Sequence, residues 1–336
     1  MRIADYPQHL ARHCAHRCNL TQTNEGLPFR TLNCKNSVNS ITNHLLSMSR
    51  LLRPLPLVAM AALLSGCATG QLAARASVPM VNSGATAMMR EPDPALASSA
   101  MPAQIELIRS LVAQLPKDAD LRLQEAQGLY VYAYGFVEDH DRARASKLYH
   151  RAFNNARVVL AADGLRGNLM TMNEAALAQE LQHLDKAAVP ALFWTASCWA
   201  KWIDMNRDSP ALLADMGNAV ALMRRADELD GNYYFGGPHL FLGIYYSSRP
   251  AALGGNPAKA GKEFAKARAA TGDKLLMVDV LQAQYLERQA QNQKAFHALL
   301  IHVIEAPPDL FPQMALANAI AKDKAKQLLT DEEAWF

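Results

Sequence analysis

The stretch LFLGIYYSSRPAALGGNPAKAGKEFAKA, residues 240–267, decides the fold of this chain. In it Ala260, Phe264 and Ala267 follow one another at steps of four and three residues, so they share one face of a helix. Gly243 lies 17 residues before Ala260. Two small residues let helices approach closely, and the aromatic ring fills the space that remains between them. The stretch therefore predicts a helical hairpin whose two helices cross at Gly243 and Ala260.

The spacing of small, bulky and small residues occurs at two further places. The copies start 74 and 41 residues apart, whereas tetratricopeptide repeats have a period of about 34 residues. Gly128 again lies 17 residues upstream of the first copy. Together with Leu242-Gly243-x-Tyr245-Tyr246, the pattern resembles degenerate, elongated tetratricopeptide repeats, with a generic helical bundle as the alternative. The two further copies are Ala145, Tyr149 and Ala152, and Ala219, Met223 and Ala226.

Helical periodicity continues through most of the chain from Pro102 onward. Segment 103–115, for example, places apolar residues at three- and four-residue steps, and segments 119–139 and 142–162 do the same. No segment alternates apolar and polar residues as a half-buried strand would. The sequence therefore predicts an all-α domain over residues 101–330, built of tetratricopeptide-like helical hairpins that form a curved solenoid or a compact bundle.

Residues 232–255 are rich in tyrosine and glycine. A phosphate-binding loop would follow a strand and carry a Gly-Lys-Ser/Thr ending or a Gly-x-Gly-x-x-Gly pattern, and this segment has neither. His239 has no cysteine near it and belongs to no recognisable Ser-His-Asp arrangement. We interpret the segment as an enlarged joint between repeats, and we predict no catalytic residue, metal or cofactor. The predicted joint residues are Gly236, Gly237, Pro238, Gly243, Gly254, Gly255, Ala260 and Phe264.

The aromatic residues of this joint are candidates for lining a groove or a pore. Tyrosine suits a partly wet cavity because it combines apolar area with a hydroxyl group. Packing in the core explains the same residues equally well. The candidate lining residues are Tyr233, Tyr234, His239, Tyr245 and Tyr246.

Three tryptophans, Trp194, Trp199 and Trp202, lie close together in a second aromatic segment. On a helix Trp199 and Trp202 would share a face, and Trp194 would lie off it. We expect a core role for them, with a protomer interface or an apolar ligand site as the alternative.

Residues 48–66 have the order of a bacterial secretory signal. Arg50 and Arg53 precede an apolar run of about ten residues, which is too short to cross a membrane. The segment then ends in Leu-Ser-Gly before Cys67, which resembles the lipobox of bacterial lipoproteins. We therefore expect a lipidated Cys67. Because Ala68 rather than an aspartate follows it, we expect the periplasmic face of a Gram-negative envelope, at the inner leaflet of the outer membrane.

A signal peptide lies at an N-terminus, yet residues 1–47 precede Met48. His13-Cys14 and His16-Cys18 could suggest metal ligands, but no second pair of ligands follows at zinc-site spacing. We interpret residues 1–47 as an upstream artefact of start-site choice.

Residues 67–100 are small, weakly apolar and contain several prolines. We interpret them as the lipidated cysteine and a flexible tether that connects it to the helical domain.

The charge of the chain changes when the leading segment is set aside. The whole sequence has 34 basic and 31 acidic side chains, and residues 1–66 contain seven of the basic and two of the acidic ones. The remaining chain therefore has 27 basic and 29 acidic side chains. A nearly neutral chain without a basic stripe does not favour nucleic-acid binding. Cys198 is the only cysteine after Cys67, so the mature chain can form no disulfide within itself once Cys67 is acylated.

The C-terminal half of the chain resembles a known family. The segment YYFGGPHLFLGIYYSSRPAALGGNPAKAGKEFAKA, followed by LQAQYLERQAQNQKAFHALLIHVIEAPPDLFPQMALANAIAKDKAKQLL, resembles the TatT family, the T component associated with TRAP transporters. The resemblance covers roughly residues 100–329 and is most specific over 232–329. The matching residues are Gly236, Gly237, Pro238, Gly243, Tyr246, Pro250, Gly254, Gly255, Ala260, Phe264, Leu316, Ala317 and Asn318.

This resemblance implies a periplasmic, tetratricopeptide-like lipoprotein, a homotrimer, and a TRAP substrate-binding (P) component as partner. We therefore expect a non-enzymatic, lipid-anchored protein that assists solute capture or handover and binds the P component, a small organic or apolar ligand, or both. The alternative is a structural or assembly lipoprotein that binds another envelope protein and no small ligand. A large apolar cavity would favour the first function, and a solid core the second.

Overall fold

The computed structural model describes residues 66–336, and within that range every regular element is a helix. The all-α prediction is therefore confirmed. The interpretations of residues 1–47 and of the signal peptide up to Ser65 fall outside the described residues. In chain order the helices are α1 (Gly66–Met89), α2 (Pro94–Gln114), α3 (Ala119–Phe136), α4 (Arg142–Ala162), α5 (Glu174–Gln182), α6 (Val189–Met205), α7 (Pro210–Ala214), α8 (Met216–Asp230), α9 (Tyr233–Ser247), α10 (Pro257–Thr271), α11 (Met277–Gln282), α12 (Gln293–Glu305), α13 (Ala315–Thr330) and α14 (Glu332–Trp335).

Shorter helical elements connect several of these helices. Three 3₁₀ turns lie at Lys186–Ala188, Ala251–Leu253 and Pro312–Met314. A π-helical segment, Ala283–Glu287, directly continues α11. Such π segments re-aim side chains within a helix and are frequent at functional sites.

Polar residues at the helix starts explain several of the boundaries. The side chains of Asp118, Asp141 and Asn256 accept hydrogen bonds of 2.9–3.0 Å from backbone N–H groups three residues further on, at the starts of α3, α4 and α10. These bonds satisfy donors that the helix itself leaves free. The boundaries are therefore encoded locally.

The core is formed where neighbouring helices pack in pairs. Helix α3 packs on α4, α4 on α6, α6 on α8, and α9 on α10. All nine residues of the three small–bulky–small triplets are fully buried. Their faces on α4, α8 and α10 therefore lie in the interior of the domain.

Gly243 lies at the closest approach of α9 and α10. A β-carbon built on Gly243 would lie 3.2 Å from three ring carbons of Phe264. Ala260, one turn before Phe264, is also fully buried. The ring of Phe264 therefore fills the space that a side chain at position 243 would need.

The 17-residue spacing from Ala145 predicts Gly128 at the crossing of α3 and α4, and this prediction is wrong. A β-carbon on Gly128 would meet the side chain of Ile105 on α2, at 3.2 Å. Ala133 instead shares a buried cluster with Ala145 and Tyr149. The physical reason is the length of the connection, because residues 137–141 join α3 to α4 whereas 248–256 join α9 to α10. With a shorter connection, the residue of α3 that lies against Ala145 is fewer positions upstream of it in the sequence.

The expectation of a flexible tether over residues 67–100 is also wrong. Helix α1 occupies most of this segment, and α2 starts at Pro94. Ala74 and Val81 of α1 are buried in a cluster with Leu111 of α2. Alanine has the highest helix propensity, so an alanine-rich segment forms a helix once a few apolar residues find a surface to pack on.

Candidate functional site

A cavity of about 870 Å³ lies between the buried cluster of α4, α6 and α8 and the cluster of α10 to α13. Apolar and aromatic side chains form most of its wall. Pockets that hold small organic ligands typically have volumes of about 300–1,000 Å³. The wall includes Tyr130, Tyr134, Phe193, Trp194, Lys201, Tyr234, Leu240, Ile244, Tyr245, Arg249, Met277, Tyr285, Leu316, Ala317 and Ile320.

One wall of the cavity is a cluster of aromatic rings. The ring of Trp194 lies edge-on to Tyr234 with centroids 4.9 Å apart, and to Tyr130 at 5.7 Å. Phe193 lies 5.6 Å from Tyr234. Such edge-to-face contacts stabilise ring clusters beyond the area they bury, and they give this wall a fixed shape.

A strained turn at the start of α9 positions Tyr234 in that cluster. Tyr234, Phe235 and Gly236 have φ values of 47°, 62° and 78°. Such values are uncommon for residues with bulky side chains. A β-carbon on Gly236 would lie 2.8 Å from the β-carbon of Ala270, so only glycine fits there. The Tyr234 hydroxyl accepts a hydrogen bond of 3.0 Å from the Gln127 side chain on α3.

A buried ion pair lies at the polar end of the cavity. Lys201 Nζ lies 2.7 Å from Glu138 Oε2, and both side chains are nearly buried. The Tyr149 hydroxyl donates to the same carboxylate. Burial is the largest single effect on the pKa of Lys201 and lowers it, but Glu138 together with Tyr285 and Asp204 raises this pKa above its ordinary value. Lys201 is therefore a paired cation.

The phenol groups around this end of the cavity remain neutral. Burial raises the pKa of Tyr130, Tyr134 and Tyr285 above the ordinary value of tyrosine. The π-helical segment after α11 carries Tyr285 to the cavity wall. These residues supply apolar area and hydroxyl groups without adding charge.

Exposed apolar residues surround one opening of the cavity. Leu213 and Leu253 are 45% and 67% exposed, and both border the cavity. Arg249 lies beside them, with its guanidinium carbon 4.0 Å from the centre of the Tyr245 ring. The opening therefore combines an apolar rim with a cation in contact with an aromatic ring.

A tight turn fixes the position of Arg249. The N–H of Gly255 donates a hydrogen bond of 3.0 Å to the Pro250 carbonyl. A β-carbon on Gly255 would lie 1.8 Å from the backbone oxygen of Arg249. Glycine at position 255 is therefore required for this turn, and the predicted joint residues Gly254 and Gly255 belong to the frame of the opening.

The predicted lining residues divide into two groups. Tyr234 and Tyr245 border the cavity. Tyr233, His239 and Tyr246 do not, so these three assignments are corrected. The left-handed turn at the start of α9 directs Tyr234 inward, and consecutive residues such as Tyr245 and Tyr246 point about 100° apart on a helix.

His239 belongs to a separate cluster that connects three helices. Its Nδ1 lies 2.8 Å from Glu263 Oε2 on α10 and 2.9 Å from Asp227 Oδ1 on α8. Hydrogen bonding to Asp227 raises the pKa of His239, and Glu263 adds to this effect. Lys266 Nζ binds the other oxygen of Glu263 at 3.0 Å. His239, Asp227 and Glu263 could also hold a metal ion, but Glu263 already pairs with Lys266.

The three tryptophans have different surroundings. Trp199 and Trp202 both pack on Phe153, with ring centroids 5.1 and 5.8 Å away. Trp194 lies off that face and borders the cavity. Core packing therefore accounts for two of them, and the cavity wall contains the third.

Residues 316–318 connect the cavity to the start of α11. Leu316 and Ala317 border the cavity. The Asn318 side chain accepts a hydrogen bond of 3.0 Å from the Leu276 N–H and donates one of 2.9 Å to the Lys274 carbonyl. This explains why an asparagine is suited to a buried position on α13.

Comparisons with known proteins identify a family for this architecture. The family described as TRAP transporter T-component matches residues 90–336. A comparison with curated proteins finds no match. Over residues 66–336, no helix has both the length and the apolar character that a membrane span requires.

Proposed function

The chain belongs to the TRAP transporter T-component family, which makes it an accessory component of a TRAP transporter, and we propose that its cavity holds a small apolar organic ligand during capture or handover. The protein acts without catalysing a reaction. The observation that carries this proposal is the cavity of about 870 Å³ with its aromatic and aliphatic wall. A cavity of this size in a stable core costs packing energy, so its presence favours a ligand over a purely structural scaffold.

The proposed place of action is the periplasm, and the proposed partner is the TRAP substrate-binding component. The lipobox-like sequence before Cys67 supports a lipid anchor, most simply at the outer membrane. The family membership supports association with the TRAP system. A homotrimer is part of the same proposal and rests on the resemblance alone.

The ligand proposal can be tested with the fluorescent apolar probe 1-N-phenylnaphthylamine. The purified protein should bind the probe with increased fluorescence. Ala317→Trp should weaken binding at least tenfold, because the indole would occupy the cavity that Ala317 borders. Ala319→Trp, on the same helix but away from the cavity wall, is the matched control. Absence of probe binding, or equal weakening by both variants, would overturn the proposal.

The partner proposal is tested separately. Mixing the protein with the purified substrate-binding component of the same transporter should give a complex that elutes earlier in size-exclusion chromatography than either protein alone. Separate elution at concentrations of about 100 µM would exclude an interaction of even modest affinity.

A further inference from the structure

We propose that Arg249 binds the carboxylate of a monocarboxylic acid whose apolar tail lies in the cavity. This inference names the ligand class for the proposed function and rests on it. The cavity wall contains three cations, and Arg249 differs from the other two in its surroundings.

Two of the three cations at the cavity wall are paired with carboxylates. Lys201 pairs with Glu138 at 2.7 Å. Arg207 pairs with Asp204, the acidic side chain at the wall. Arg249 forms no ion pair among residues 66–336, and its buried Nε has no hydrogen-bond partner there. An anionic group is the partner that this guanidinium lacks.

The position of Arg249 suits a carboxylate. The guanidinium carbon of Arg249 lies 4.0 Å from the centre of the Tyr245 ring, and this cation–π contact stabilises the position of the charged group. A planar guanidinium can bind both oxygens of a carboxylate at once. Arg249 therefore offers an ordered binding site at the opening of the cavity.

The single unpaired cation and the apolar wall together define the ligand. A second negative charge on the ligand would lie among apolar side chains without a partner, which is costly. A neutral ligand would leave Arg249 unpaired. An acid with one carboxylate and an aliphatic or aromatic tail satisfies both conditions, with the carboxylate at the opening and the tail beside Trp194 and Tyr234.

The test compares dodecanoic acid with dodecanol, which has the same tail and no charge. Each compound displaces 1-N-phenylnaphthylamine from the wild type at pH 7.5. We expect the acid to bind about 10- to 100-fold more tightly than the alcohol, the range of a charge-assisted hydrogen bond. Arg249→Gln should remove this preference by weakening only the acid, and Arg249→Lys should retain part of it.

A second arginine near Tyr245 provides a control. Arg224 lies 6.0 Å from the same ring but does not border the cavity, so Arg224→Gln should leave the preference for the acid unchanged. Three outcomes would overturn the inference and leave the proposed function standing. The acid and the alcohol could bind equally, both glutamine variants could lose the preference for the acid, or neither compound could displace a probe that still binds. A protein that does not bind the probe at all would overturn both.

Discussion

The ring of Phe264 lies so close to Gly243 that a β-carbon there would meet three ring carbons at 3.2 Å. Because the ring is fully buried between α9 and α10, it has no free space into which it can move. The hairpin therefore depends on the absence of a side chain at position 243.

Gly243→Leu should lower the free energy of unfolding by about 1–3 kcal/mol, because the added side chain overpacks the crossing. Gly261→Leu is the control on α10, where a β-carbon would meet no atom within 4 Å. That change should leave stability equal or slightly higher, since leucine favours a helix more than glycine does. Urea unfolding measures both, and equal effects would contradict the crossing.

Local signals account for the parts of the fold that the sequence predicts well. The predicted segments 142–162 and 257–271 coincide with α4 and α10, because Asp141 and Asn256 mark their starts through side-chain hydrogen bonds. The three small–bulky–small triplets also predict buried helix faces correctly, because the spacing of residues within one helix depends only on a short stretch of sequence.

The candidate site is less predictable because it depends on distant contacts. The pairing of Lys201 with Glu138 joins α6 to the connection between α3 and α4, which is far away in sequence, and no local pattern signals it. The left-handed turn at Tyr234 and Phe235 is equally hidden, since only Gly236 among these residues favours positive φ. The unpaired state of Arg249 becomes visible only when every neighbouring carboxylate has been placed.

Glu138→Gln should destabilise the protein by about 3 kcal/mol, because it removes the nearer counter-charge of the nearly buried Lys201 ammonium and leaves only Asp204, 3.9 Å away. Adding Lys201→Met should restore most of the loss, since the double variant lacks the nearly buried ammonium and Asp204 keeps its pair with Arg207. Chemical unfolding of the single and double variants measures the coupling. A double variant less stable than Glu138→Gln alone would contradict this account of the pair.

Stability should depend on pH through His239. Its pKa is higher in the folded protein than the ordinary value of about 6.5, so its contribution is fully present below pH 6.5 and is lost as pH rises through the folded pKa. The melting-temperature difference between wild type and His239→Gln should therefore shrink from pH 6 to pH 9.

His150 provides the opposite case for the same measurement. Burial lowers its pKa, with Arg157 adding to the effect, so the folded state resists protonation and His150 weakens stability as pH falls below 6.5. His150→Gln should therefore gain stability relative to wild type on acidification. The same pH trend in both variants would argue against an ionic role for His239.

Cys67→Ser should abolish metabolic labelling with palmitate, because the proposed lipid is attached to that thiol. A chain starting at Met48 should be labelled as efficiently as the whole sequence, since the proposed signal begins there. Mass spectrometry of the mature N-terminus provides the second measurement. Labelling of the serine variant would contradict the anchor, and dependence on residues 1–47 would contradict the proposed start.

Tyr234 and Tyr246 form a matched pair on α9, because Tyr234 borders the cavity and Tyr246 does not. Tyr234→Ala should weaken binding of 1-N-phenylnaphthylamine several-fold, since it removes a ring that contacts Trp194 and shapes the wall. Tyr246→Ala should cost about 3 kcal/mol of stability through lost packing while the folded fraction keeps its affinity for the probe. Melting and probe titration on both variants separate the two roles. If Tyr234→Ala loses stability but binds the probe unchanged, the ring is a packing residue and the binding surface lies elsewhere in the cavity.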